Sequence, residues 1–198
     1  ATVFQMVGAY GTFANEGVYV KPVLVTRIED KNGTVLFENT PETHDVVSAE
    51  VARAVVNLME GVTRYGSGAR LRTKGAETYN TIYKNVMTGY PYQFTNPIAG
   101  KTGTTQNNSD GWFIGMVPNL VTGVWVGGED RAIHFRTTAY GQGATMALPV
   151  FGYYMKKCYA DKDLNVSKGA FPAPQNKEIP IDCNKEKEGG TEEPEIDF

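Results

Sequence analysis

One stretch of the chain has residue types and spacing that suit anion chemistry: Lys101-Thr102-Gly103-Thr104. Asn96-Pro97 and Gly100 lead into it, and this punctuation around β-compatible residues predicts a short strand over about 98–105. Lys101 supplies a fixed positive charge. Thr102 and Thr104 are two residues apart, so both hydroxyls project from one side of that strand. Gly103 between them has no side chain, which lets another backbone or a ligand lie directly against the strand. A cation, two hydroxyls and open backbone together form a wall that suits an anionic, peptide-like ligand.

Three such residues recur by chance, but their setting is specific. Ser109-Asp110-Gly111-Trp112-Phe113-Ile114-Gly115-Met116-Val117-Pro118 follows, and then Leu120-Val121-Thr122-Gly123-Val124-Trp125-Val126-Gly127. The succession K-T-G-T-T, a polar turn, D-x-W-F-x-G-x-x-P and V-W-V-G resembles the C-terminal part of the transpeptidase domain of penicillin-binding proteins. It looks most like the bifunctional, class A type. K-T-G is one of three motifs of that family and of the related β-lactamases. The likeness covers residues 1–160 and leaves 161–198 as a polar, proline-containing, acidic extension. It implies an α+β fold of the β-lactamase/transpeptidase type, an antiparallel sheet flanked by helices, of which this chain is a part.

The resemblance also implies roles. Lys101 would steady a substrate carboxylate or a β-lactam and couple to the serine of an S-x-N motif. Thr102 and Thr104 would donate hydroxyls to the same carboxylate, with Gly103 completing the binding wall. The N–H of Thr104 would be half of an oxyanion hole. The implied partners are peptidoglycan stem peptides and β-lactam antibiotics, with no cofactor. The implied activity is that of a D,D-transpeptidase working through an acyl-serine in cell wall biosynthesis.

The chain departs from the family at the nucleophile. In the family a serine and the lysine that takes its proton come as S-x-x-K, one helical turn apart. Here Ser48, Ser67, Ser109 and Ser167 are followed three positions on by Val51, Arg70, Trp112 and Ala170. None has an asparagine two positions on, so S-x-N is missing as well. The expectation is that the chain is the C-terminal portion of a longer enzyme whose N-terminal part carries both motifs. Ala1 is not a methionine, and Thr2 opens straight into a helix. The alternatives are a non-catalytic binding or scaffold module derived from the same fold, or a fragment of a β-lactamase-related serine hydrolase.

The elements that position the wall are legible in outline. Thr2-x-x-Gln5 has the form of a capping box, and Val3, Met6, Val7, Tyr10, Phe13 and Ala14 recur at helical spacing until Asn15 and Gly17. Val23–Glu29 and Thr34–Glu38 around Asn32-Gly33 predict a surface hairpin. Ser48 caps a second helix, with a predicted buried stripe of Val51, Val55, Leu58, Met59 and Val62 that ends at Gly66-Ser67-Gly68. The tyrosine-rich connection over 72–97 precedes the K-T-G strand and is a candidate edge of the ligand groove. Strands follow at about 98–105, 111–117 and 120–127, with Trp112, Phe113 and Trp125 as expected core anchors. A last helix runs from about Gly143 to Ala160, and Pro149 should bend it or mark a late start. This helix and the first are expected on one face of the sheet.

Composition sets the remaining bounds. Hydrophobic content of 41% is enough for a core, and the formal net charge of −3 argues against a nucleic-acid-binding surface. Residues 184–198 set two lysines against six carboxylates and have the composition of a disordered tail. No apolar run approaches the roughly 20 residues a membrane span needs. The resemblance implies a periplasmic or otherwise extracytoplasmic protein, anchored through an N-terminal segment absent from this chain. A Cys158–Cys183 disulfide suits such a compartment, and two free thiols are the other possibility. No metal site is expected, because His44 and His134 show no ligand spacing with either cysteine.

Overall fold

The capping box at Thr2 forms as the sequence predicts. Thr2 Oγ1 accepts from the Gln5 N–H at 3.2 Å, and the Gln5 side chain accepts from the Thr2 N–H at 2.9 Å. This starts helix α1 (Val3–Ala14) in a computed structural model that describes residues 1–72 and 92–173. Four short strands follow: β1 (Val18–Val20), β2 (Arg27–Glu29), β3 (Val35–Glu38) and β4 (Thr43–Asp45). β2 and β3 form the predicted hairpin, turned through Gly33 at φ +83°. Its first strand begins at Arg27 rather than Val23, since β3 is only four residues long and offers no partner further back. The hairpin is exposed on both faces, with Leu36 and Phe37 open to solvent. β1 pairs with β4, a contact between segments 25 residues apart that local patterning does not reveal.

Helix α2 (Ala49–Arg64) is capped by Ser48 as expected, but its buried face is rotated from the predicted stripe. Ala52, Val56, Glu60 and Thr63 are buried, whereas Leu58 is 73% exposed and Val51 39%. The polar members of this face explain the rotation. Glu60 lies between Arg53 and Arg64, and the Thr63 hydroxyl donates to the Ile98 carbonyl. Arg72 then donates to the Thr63 carbonyl, the Thr63 hydroxyl and the Asn96 carbonyl, each at 3.0 Å. Turning Thr63 outward would leave the Ile98 carbonyl and Arg72 without their partner inside the protein, a desolvation penalty that outweighs the apolar pattern in setting the helix face.

The central sheet has the order β5 (Ala99–Thr104), β6 (Asp110–Val117), β7 (Leu120–Gly127), all antiparallel. A short helix α3 (Thr138–Gly141) precedes α4 (Gly143–Ala160), which runs through Pro149 as one helix rather than starting late. The helices at the two ends sandwich the sheet instead of sharing a face, which corrects the expectation. Phe113 meets Phe151 of α4 with ring centroids 4.8 Å apart. On the opposite face, a Cβ on Gly123 would strike Val7 of α1 and come near Ile114. The reason is alternation: β6 is buried from both sides, so successive residues require a partner layer on each face.

Two cores result. One, on the α4 face, gathers Leu71, Tyr92, Phe94, Ile98, Phe113, Val117, Leu148 and Phe151. The other joins Val56 of α2, Ala99, Met116 and Phe171. Tyr92 and Phe94 are therefore core residues, not groove edges, while 73–91 lie outside the described residues. Residues 161–173 return to the body: Asn119 bonds Asn165 and Ser167, and Phe171 is buried beneath the Arg53 guanidinium. Cys158 is buried on α4, and Cys183 lies outside the described residues. Among the described residues no helix is long and apolar enough to cross a membrane, and no cluster of metal-ligating side chains occurs.

Two glycine substitutions separate helix propensity from close packing. Gly61 in α2 has nothing within 4 Å of a built Cβ, whereas a Cβ on Gly143 would lie 2.3 Å from the Gly103 carbonyl. Gly61→Ala is expected to raise stability by about 0.5–1 kcal/mol. Gly143→Ala is expected to lower it by about 1–3 kcal/mol through overpacking. Melting temperatures should move in opposite directions, by about 2–4 °C per kcal/mol. A shift of the same sign in both would contradict this account.

Candidate functional site

Among the described residues the K-T-G stretch occupies a free edge of the sheet: β5 pairs there with β6 on one side only, in the register Lys101↔Ile114, Thr102↔Phe113, Gly103↔Trp112 and Thr104↔Gly111. The ladder determines which backbone groups face outward. Just past the strand, the Thr105 N–H donates to the Asp110 carbonyl at 3.2 Å. In an antiparallel pair that bond brackets Thr104 and Gly111 as a non-hydrogen-bonded pair. The N–H and C=O of Thr104 are therefore turned to the free edge. By the same alternation so are those of Thr102, and Lys101 Nζ reaches the outward Thr102 carbonyl at 2.6 Å.

Thr102 and Thr104 share a face, as predicted, and it is the face of α4. Thr104 Oγ1 accepts from the N–H of Gly143, the first residue of that helix, at 3.0 Å. This N–H is one of the unsatisfied donors at the positive end of the helix. Thr102 Oγ1 lies 2.6 Å from Ser67 Oγ. Lys101 and Gly103 face the other way, toward α1. There a groove of about 290 Å³ is lined by Ala1, Met6, Tyr10, Trp112 and Ile114 together with Lys101, Thr102 and Gly103. A ligand laid along the edge meets the Lys101 charge from one face, the threonine hydroxyls from the other, and the Thr104 N–H in the plane between them.

Several expectations change here. Gly103 does not provide that approach: its missing side chain lies over Trp112, and the close contact on the α4 side is allowed by Gly143, whose own missing side chain sits over the Gly103 carbonyl. Trp112 and Trp125 are not core anchors: they are cross-strand neighbours, and Trp125 is 41% exposed. Only Phe113 is fully buried. α1 covers the sheet near Gly123 and Ile114 and leaves the tryptophan end of that face open, so Trp112 lines the groove beside Lys101. Ser67 is a residue that sequence reasoning missed. Its position between two glycines after a helix marks a turn but not a contact with a strand 35 residues away. No serine of the chain stands in an S-x-x-K, so the K-T-G edge stands here without that nucleophile.

With this geometry in view, comparison with known proteins is direct. A model of the penicillin binding protein transpeptidase domain matches residues 1–144. The chain belongs to that family and forms part of such a domain. It is 33% identical over 168 residues to penicillin-binding protein 1A of Aquifex aeolicus, covering 83% of this chain and 20% of that protein. The chain therefore spans about a fifth of the length of this relative. Its fold aligns with penicillin-binding protein 1A from Haemophilus influenzae at a TM-score of 0.61 and 22% identity, over 91% of this chain and 28% of that one. It also aligns with the D,D-transpeptidase domain of a peptidoglycan glycosyltransferase from Eggerthella lenta, at 0.52 and 25% identity, over 79% and 33%.

Proposed function

We propose that this chain supplies the K-T-G wall of a serine D,D-transpeptidase that cross-links peptidoglycan stem peptides outside the cytoplasm and is acylated by β-lactams. The S-x-x-K and S-x-N groups, and a membrane anchor, come from a part of the protein beyond these 198 residues. The observation that carries this proposal is the outward Thr104 N–H on a free sheet edge, flanked by two threonine hydroxyls. An extended peptide that adds to such an edge finds main-chain partners and a fixed end stop for its carboxylate.

In the proposed reaction the serine oxygen attacks the carbonyl of a D,D-peptide bond, and the leaving amine departs with a proton. An acyl-serine remains, which a second stem-peptide amine resolves. The Thr104 N–H and the N–H of the nucleophile receive the developing oxyanion, where one lost donor typically costs roughly 10²–10³ in rate. Thr102 and Thr104 hold the substrate carboxylate. Lys101 adds its charge and couples to the S-x-N serine from the α1 side.

The first test uses the chain alone. Incubated with a fluorescent penicillin and run on a denaturing gel, it is expected to give no covalent band. A band that survives denaturation would reveal a nucleophile among its own residues.

The second test uses the complete protein. Lys101→Ala is expected to slow acylation by penicillin by about 10- to 150-fold, the equivalent of losing one charge-assisted bond of about 1.5–3 kcal/mol. Lys101→Arg keeps the charge on a longer, planar group and should recover only part of the rate. Lys101 is exposed, so the melting temperature should barely move. Equal acylation rates in wild type and both variants would reject the proposed role of Lys101.

A further inference from the structure

Thr104 and Thr102 are held in parallel ways. The oxygen of Thr104 accepts from a donor whose direction is fixed, the Gly143 backbone N–H at 3.0 Å. Its own hydroxyl hydrogen therefore does not point back at that N–H and is left to donate to another group. The oxygen of Thr102 has Ser67 Oγ at 2.6 Å, a contact in which either hydroxyl can donate. The turn that carries Ser67 is itself fixed. Gly66 and Gly68 donate to the Gly61 and Val62 carbonyls at the end of α2, and Ala69 donates back to Gly66. On one side of the turn Thr63 bonds the Ile98 carbonyl, and on the other Arg70 donates to the Ala144 carbonyl and the Thr145 hydroxyl. The turn thus passes beside β5 from one core to the other and leaves Ser67 exposed at the strand edge.

We propose that Ser67 is a positioning residue for anion recognition: it donates to Thr102 so that the Thr102 hydroxyl, like that of Thr104, donates to the carboxylate of the bound substrate or β-lactam. This rests on the transpeptidase function proposed above. If Thr102 donated to Ser67 instead, its lone pairs would face the anion and repel it. A carboxylate at the edge selects the chain Ser67 O–H to Thr102 O–H to carboxylate, in which each bond polarises the next. Ser67 does not touch the reacting atoms. It acts through Thr102, and the pair is specific for an anion over a neutral group of the same shape.

The test uses the complete protein and two probes, benzylpenicillin and its methyl ester, which lacks the anionic carboxylate. Ser67→Ala is expected to slow acylation by benzylpenicillin by about 2- to 12-fold, the range of one neutral hydrogen bond. Acylation by the ester should be unchanged. Ser67→Thr, which keeps the hydroxyl, should restore the benzylpenicillin rate. In a Thr102→Val background Ser67→Ala should have no further effect, because the two residues act as one unit. The melting temperature should stay constant throughout. Equal losses on both probes, full additivity with Thr102→Val, or a lowered melting temperature would overturn the role of Ser67. Absence of any covalent labelling of the wild-type protein would instead refute the transpeptidase function itself, and this inference with it.

Discussion

The rest of the site depends on the contact between the start of α4 and the backbone of β5 and β6. Gly143 lies so close to the Gly103 carbonyl and the Trp112 backbone that no side chain fits there. That approach puts the first helical N–H on the Thr104 hydroxyl and sets the axis along which Leu148, Phe151 and Met155 enter the core. A helix displaced by one methyl group would release Thr104 and open the Phe113–Phe151 contact together. Packing density and the orientation of the Thr104 hydroxyl are therefore one constraint, because close-packed interiors transmit small displacements instead of absorbing them.

The opposite end of β5 is held by polar groups. Thr63 and Arg72 link the end of α2 to the Ile98 and Asn96 carbonyls, so the strand is anchored at its entry, while among the described residues its outer edge past Ser67 stays open. Burial pulls the Arg72 pKa down, with the neighbouring Arg64 charge adding to the effect, but an arginine remains charged at neutral pH. An exposed strand edge is an aggregation liability unless it is short or covered. Here it is short and, among the described residues, partly flanked by the Gly66–Leu71 turn, which leaves the K-T-G-T segment open.

The division of the site between two faces of one strand follows from the same geometry. Lys101 and Thr102 are adjacent in sequence and therefore project to opposite sides. Lys101 looks into a groove with Met6, Tyr10 and Trp112, and the threonines look toward α4 and Ser67. A tripeptide motif can address one ligand from both faces only because it sits on an edge. In the middle of a sheet the same residues would be separated by the plane of the backbone.

Local sequence was enough to specify the elements around the K-T-G strand. The Thr2–Gln5 capping box, the Asn32-Gly33 turn, the Ser48 cap, the three central strands and the pairing of Thr102 with Thr104 on one face are all set by residues within a few positions of one another. Local hydrogen bonds and side-chain alternation need no distant partner. Tertiary structure alone decided which face of α2 is buried, that α1 and α4 lie on opposite sides of the sheet, that Trp112 and Trp125 stand at an open end, and that Ser67 meets Thr102. Each of these depends on groups far apart in the chain, such as Thr63 with Ile98 or Gly143 with Thr104. In α2 the buried hydrogen bonds of Thr63 and the ion pairs of Glu60 override an apolar stripe that periodicity alone would have turned inward.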